Sequence, residues 1–194
     1  MRLLYRVEIV NRNNSFVKHD KGLILCSNHS SSLDPIMMCT YFPEPIFFIS
    51  KAELFKNRFV RSVLQFFNSF PINRSGFPRE SIKMSLKILN RGNVFGIFPE
   101  GTRSANGKIG EGREGIGLVA YLSKAPILPM AVYNSKKDPK RKKSKKDVFS
   151  KIRVIFGELI ITENIISAYP KREAIEKITD ITMNNIKMLY CRLN

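Results

Sequence analysis

The sequence predicts a single α/β domain over residues 1–194: a sandwich with a mixed, largely parallel sheet flanked by helices. Three observations predict it. Short, wholly apolar runs alternate with longer stretches in which apolar residues recur at helical spacing. Gly, Pro, Asn and Asp punctuate the changes from one pattern to the other, and no internal repeat interrupts the alternation. The chain is also long enough to bury a core without disulfides or metals.

Residues 23–26 (Leu-Ile-Leu-Cys) follow Gly22 and precede polar Ser27-Asn28, the signature of a strand buried on both faces. Asp34-Pro35 opens a helix over 36–41, since Asp is a favoured cap and Pro a favoured first helical residue. A strand is expected at 46–49. Residues 53–67 carry Phe55, Phe59, Val63, Phe66 and Phe67 at helical spacing, as one amphipathic helix or two short ones. An extended segment at 70–72 leads to a helix over 78–90 that Gly92 ends, and then to a strand at 94–98.

A polar loop occupies 99–113, a helix 115–123 and a strand 127–133. A basic loop over about 134–147 precedes a strand at 151–156. A last helix spans about 170–193, with Ile175, Ile178, Ile181, Ile186 and Leu189 on its inner side. Ligands of such sheets sit at the carboxyl ends of strands, so the loops after Cys26, Ile72 and Phe98 are expected to converge.

The formal charge is +17, from 33 basic and 16 acidic residues, which calls for a polyanionic partner, either a nucleic acid or an anionic lipid surface. The densest cluster, Lys136 to Lys146, holds eight cations and one acid, too many for an ordinary helix face. Attraction to anionic lipid or to an acidic carrier protein is one reading of it and a solvated loop another; nucleic-acid binding comes third. No apolar stretch reaches the roughly 18 residues of a membrane span, and the N-terminus lacks the apolar core of a secretory signal. Cys26, Cys39 and Cys191 lack metal-ligand spacing and read as reduced, buried thiols of a cytoplasmic protein, with no metal site.

A general base at neutral pH has two histidine candidates, His19 and His29. His29 follows the first apolar strand and precedes Asp34 by five positions, which on one helix would set the pair about 140° apart and out of contact. A tight turn at 30–33 would instead fold the carboxylate back onto the imidazole, fixing its tautomer as acyl-transfer dyads require. The plainer alternative, Asp34 as a helix cap and His29 as a turn residue, fits the spacing at least as well. Phe98-Pro99-Glu100-Gly101-Thr102-Arg103-Ser104 combines backbone N–H groups, hydroxyls and a guanidinium that suit a phosphate, or forms a polar connector. Glu100 fits that loop only if it binds a substrate hydroxyl or holds Arg103. Arg74 can supply a second guanidinium or face solvent.

Asn28-His29-Ser30-Ser31-Ser32-Leu33-Asp34 resembles the N-H-x-x-x-x-D signature of the 1-acylglycerol-3-phosphate acyltransferase family, and 98–104 resembles its F-P-E-G-T-R-S block. Lys51-Ala52-Glu53-Leu54 through Pro71-Ile72-Asn73-Arg74 is similar to the second block, and Ala125-Pro126-Ile127-Leu128-Pro129-Met130 to the fourth. The likeness covers about 22–132. It implies a glycerol-3-phosphate acyltransferase-like fold in which His29 deprotonates the hydroxyl of lysophosphatidic acid for attack on an acyl thioester, while Asp34 orients His29. Arg74 and Arg103 would hold the phosphate; Glu100, Gly101 and Thr102 would shape the glycerol site. No cofactor, metal or acyl-enzyme is implied, the co-substrate being acyl-CoA or acyl carrier protein. Another lysophospholipid or glycerol 3-phosphate is an alternative acceptor. The segment before Gly115 usually carries a Lys in that family and reads Arg113-Glu114 here, so the sequence assigns no phosphate contact there.

Members of that family often begin with hydrophobic helices, whereas this chain starts close to its first apolar strand. Attachment is therefore expected through surface features on the inner face of the cell membrane. Phe55, Phe59, Val63, Phe66 and Phe67, beside Lys56, Arg58 and Arg61, have the makeup of an interfacial segment, and equally of core packing. A specific nucleic-acid binder is disfavoured because no recognition motif is legible. A serine hydrolase is disfavoured because no G-x-S-x-G elbow is present.

Overall fold

Strand β2 (Leu23–Ser27) sits in the middle of the sheet, and its side chains show why the sequence there is uniformly apolar. Leu23 and Leu25 enter one core, Ile24 and Cys26 the other, because successive residues of a strand point to opposite faces. The computed structural model describes residues 5–72, 78–104, 108–135 and 150–193. Arg74 and the basic cluster at 136–146 lie outside the described residues.

The chain folds as β1 (Tyr5–Val10), β2, α1 (Asp34–Tyr41), β3 (Ile46–Lys51), α2 (Arg58–Phe66), β4 (Ser69–Ile72), α3 (Pro78–Leu89), β5 (Val94–Ile97), α4 (Gly115–Ser123), β6 (Ile127–Asn134), β7 (Ser150–Phe156), α5 (Thr162–Ala168) and α6 (Lys171–Leu193). One seven-stranded sheet runs in the order β1-β7-β6-β2-β5-β3-β4. All neighbours are parallel except β6 and β7, which makes the sheet mixed and largely parallel as expected. The carboxyl ends of β2, β3, β4, β5 and β6 therefore share one edge, and the site forms there. Helix α1 covers the face holding Leu25, Leu128 and Met130, while α3, α4 and α6 cover the face holding Ile24, Phe95 and Ile127.

Two elements were not expected. Strand β1 pairs with β7 at one end of the sheet, with Val7 and Ile9 packed on the core and Arg6 and Glu8 at the alternate positions. Helix α5 is a seven-residue connector, too short to show periodicity.

One open choice is resolved and two assignments change. The 53–67 segment splits into a 3-10 turn, Ala52–Lys56, and α2, whose start is capped by the Asn57 side chain accepting from the N–H groups of Phe59 and Val60. On α6 the inner stripe runs Ala174, Ile178, Thr182, Ile186, Leu189 and Leu193; Ile181 is exposed. Cys26 is buried as expected, but Cys39 is half-buried and Cys191 exposed.

Helices α4 and α6 meet where Gly117 faces the backbone of α6: a Cβ on Gly117 would overlap the carbonyl oxygen of Ile175. Gly115, two residues earlier, has open space around it. Gly117→Ala is therefore expected to destabilise the fold by about 1–3 kcal/mol through overpacking, and Gly115→Ala to be neutral or stabilising by up to about 1 kcal/mol. Thermal unfolding of the two variants would check the contrast; equal melting temperatures would mean the helices do not approach this closely.

Candidate active site

The turn that leaves β2 is held from both sides before it reaches a reactive group. Asn28 is buried, and its amide pairs with one residue of β6, donating to Val132 O at 3.0 Å and accepting from Val132 N at 2.8 Å. His29 follows. Asp34 then sends its carboxylate back across the turn, where Oδ2 accepts the N–H of Ser30 at 2.6 Å and of Ser31 at 2.7 Å, and lies 3.0 Å from His29 Nδ1. The alternative role of helix cap does not hold: Asp34 is the first helical residue, the capping position is Leu33, and no side chain caps the helix.

The Asp34 side chain is 1% exposed and that of His29 18%. A carboxylate that takes two backbone N–H donors on one oxygen offers only acceptor capacity there, so Nδ1 carries the proton and Nε2 the lone pair. Nε2, the other ring nitrogen, is directed away from the carboxylate. Phe98, at the end of β5, fixes the plane of the ring, stacking on it with centroids 4.0 Å apart at 18°. Phe48 of β3 lies behind Phe98 at 6.3 Å.

The loops after β2 and β5 converge as expected. Ser104 N–H donates to His29 O at 2.8 Å, and Arg103 Nη1 donates to Ser32 Oγ at 2.6 Å. Glu100 joins them through backbone N–H groups rather than by holding Arg103. It is buried, and one carboxylate oxygen accepts the N–H of His29 at 2.7 Å while the other accepts the N–H of Gly110 at 2.8 Å. The carboxylate does not hold Arg103; it straps the His29 turn to the 99–113 loop. Gly101 follows with a left-handed φ of 70°, which lets that loop turn back after Glu100. Thr102 and Arg103 are exposed beside it.

His29, Asp34, Glu100, Gly101, Thr102 and Arg103 thus lie on two touching loops. The phenylalanine stripe is not one surface: Phe55 is buried and Phe67 half-buried, while Phe59 and Phe66 are 78% and 79% exposed with Val63 between them. Asn28, Ser32 and Phe98 were not singled out by sequence reasoning, although all three stand inside the motifs. Burial pushes the Cys26 thiol far up and that of Cys39 to about 11, so neither is a thiolate nucleophile near neutral pH. Glu100→Gln would leave one backbone N–H facing an amide NH2. A loss of about 1–3 kcal/mol in unfolding free energy together with lower activity is expected; wild-type stability by denaturant titration would contradict the strap.

The sequence profile described as Acyltransferase matches residues 6–133. Among curated relatives, the 1-acyl-sn-glycerol-3-phosphate acyltransferase of Bacillus subtilis (strain 168) is 29% identical over 97% of this chain and 90% of its own length. The probable 1-acyl-sn-glycerol-3-phosphate acyltransferase of Mycoplasma pneumoniae is 30% identical over 78% of this chain and 60% of its own. Among solved structures, the 1-acyl-sn-glycerophosphate (LPA) acyltransferase PlsC of Thermotoga maritima matches with a TM-score of 0.68. That match covers 96% of this chain and 73% of the other at 21% identity, and speaks to the fold. With its profile match spanning most of the sheet and both loops of the site, the chain belongs to the acyltransferase family.

Proposed function

We propose that the protein transfers a fatty acyl group from an acyl thioester to the free hydroxyl of 1-acylglycerol 3-phosphate, giving phosphatidic acid. The observation that carries this reading is the His29–Asp34 pair at 3.0 Å, with Nε2 left to meet a substrate hydroxyl. The names of the Bacillus and Mycoplasma relatives supply the acceptor.

In this reading His29 Nε2 takes the hydroxyl proton as the oxygen attacks the thioester carbonyl. The Nδ1–H bond to Asp34 stabilises the imidazolium that forms. Collapse of the tetrahedral intermediate breaks the C–S bond, and His29 returns its proton to the departing thiolate. One C–O bond forms, one C–S bond breaks, and the acyl group never rests on the protein. Arg103, already held on Ser32, offers its remaining N–H donors to the acceptor phosphate. Arg74 would add to that site. Glu100, Gly101 and Thr102 shape the pocket through the loop backbone. Either acyl-CoA or acyl carrier protein can be the donor.

The acceptor is an amphiphile, so the protein is expected to work on a membrane surface. No helix among the described residues is long and apolar enough to cross one. Phe59, Val63 and Phe66 of α2, with nearby Leu54 and Phe70, form an exposed apolar face flanked by Arg58 and Arg61. Aromatics at the acyl boundary and cations at the headgroups suit a peripheral contact.

Labelled donor and a panel of lysolipid acceptors test the chemistry. His29→Ala is expected to lower kcat by about 10² to 10⁴ while the protein stays folded, and Arg103→Ala to raise KM for the phosphorylated acceptor. Equal turnover by wild type and His29→Ala would remove the mechanism. For the membrane contact, the double variant Phe59→Asp with Phe66→Asp is expected to stay folded and to lose co-sedimentation with anionic vesicles. A collapsed thermal transition in that variant would assign the two rings to the core instead.

A further inference from the structure

Arg113 sits at the far end of the loop that carries Glu100 and Arg103, yet its side chain returns to the middle of that segment. A Cβ built on Gly101 would lie 2.8 Å from Arg113 Nε, 3.0 Å from Cδ and 3.2 Å from Cζ. The guanidinium therefore rests on the α-carbon of Gly101, in space that only a glycine leaves open.

The backbone under Arg113 is braced on three sides. Its own N–H donates to Pro99 O at 3.0 Å, Gly110 N–H donates to Glu100 Oε2 at 2.8 Å, and Gly112 packs against Met183 of α6. The Arg113 residue is nonetheless exposed, and neither it nor Arg103 forms an ion pair among the described residues. An unpaired arginine is unremarkable in a chain with 33 basic and 16 acidic residues. Its placement is what discriminates. Most surface arginines hang from mobile stems, whereas this one is laid over the backbone of the segment between Glu100 and Arg103. The adjacent carboxylate of Glu100 is withdrawn from it, with both oxygens given to backbone N–H groups.

We propose that Arg113 is a second guanidinium, acting with Arg103, that binds the phosphate ester of a reactant at this site. Arg103 is held at Ser32 and Arg113 lies against Gly101, two residues before Arg103, so both planar donor forks belong to one short stretch of the loop and are candidates for one phosphate. The proposal rests on the acyl-transfer reading for its substrates. Two reactants carry such a group: the acceptor, and a donor built on coenzyme A or a carrier protein's phosphopantetheine.

The test compares wild type, Arg113→Ala and Arg113→Lys. Acceptors are 1-acylglycerol 3-phosphate and the phosphate-free monoacylglycerol; donors are acyl-CoA and the phosphate-free acyl-N-acetylcysteamine. Arg113→Ala is expected to raise KM about tenfold or more for the phosphate-bearing reactant that it holds. The phosphate-free counterpart should be unaffected, and Lys should restore part of the loss. A rise confined to the phosphorylated acceptor places Arg113 on the acceptor, and one confined to acyl-CoA places it on the donor. Unchanged KM values, or equal rises with and without phosphate, would overturn the proposal.

A binding arm separates this inference from the reading beneath it. Glycerol 3-phosphate or coenzyme A, added singly at millimolar concentration, is expected to raise the melting temperature of wild type but not of Arg113→Ala. Equal shifts in both proteins would overturn the assignment whatever the turnover result. Failure of wild type to acylate any lysolipid would sink the acyl-transfer reading and leave this arm to judge Arg113.

Discussion

One oxygen atom, Oδ2 of Asp34, organises the turn that leaves β2. It accepts the N–H groups of Ser30 and Ser31 and the Nδ1 proton of His29, while its side chain is almost wholly removed from solvent. Burying a carboxylate costs several kcal/mol in lost hydration unless charge-assisted hydrogen bonds replace the water. Here two of the replacements come from the backbone that the carboxylate itself bends. Turn and dyad are therefore one object: the imidazole is oriented only when the turn is closed, and the turn closes around the anion.

Glu100 repeats that logic across a longer gap. Its two oxygens tie the N–H of His29, after β2, to that of Gly110, in the loop after β5. Because β2 and β5 are neighbouring parallel strands, their carboxyl ends emerge side by side, and one buried carboxylate suffices to lock the two loops together. Asn28 supplies the third tie, to β6 on the other side of β2. The reactive ring thus hangs from three adjacent strands, and its precision comes from the sheet rather than from the loops. In this frame an acid inside a segment proposed to bind phosphate is no contradiction, since both its oxygens are given to backbone N–H groups.

The fold class was legible because the central strands are uniformly apolar and the helices periodic, and those signals depend only on burial. The dyad was legible as a possibility from the His29 and Asp34 spacing, which excludes a helical pair but cannot distinguish a helix cap from a carboxylate folded back over the turn. That choice depends on the turn backbone, which no side-chain pattern records. The α2 stripe left a choice open between one helix and two short ones. Phe55, Phe59, Val63, Phe66 and Phe67 fit one helical period, but the chain breaks at Asn57, so Phe55 belongs to a separate turn and faces inward. On α6, the helical spacing of the isoleucines places Ile181 inward, whereas it is exposed and the inner stripe admits Ala174 and Thr182, buried along it. Strand β1 was readable in principle, since Val7 and Ile9 alternate with Arg6 and Glu8. A six-residue strand with no buried run carries little weight against an unstructured terminus.

The position of the dyad at the rim of the sheet, rather than deep within it, has a thermodynamic reason under the proposed reaction. Moving an acyl chain of about fifteen methylenes from lipid to water costs roughly 12 kcal/mol, at about 0.8 kcal/mol per CH2. An enzyme that lifted its acceptor fully into solution would have to replace that whole term with a closed apolar tunnel. One that leaves the chain partly in the bilayer needs only to bring a hydroxyl and a phosphate to its edge. His29 keeps 18% of its side chain exposed, and α2 leaves the sheet from the same edge, at the end of β3, with Phe59 and Phe66 directed outward. Under the proposed reaction the polar loops and the apolar helix would offer an amphiphile two surfaces of opposite character, both reached from the carboxyl-end edge of the sheet. Arg103 and Arg113 would mark the polar one, and the exposed rings of α2 the other, so the orientation of a bound lysolipid would follow from which of its ends each surface can solvate.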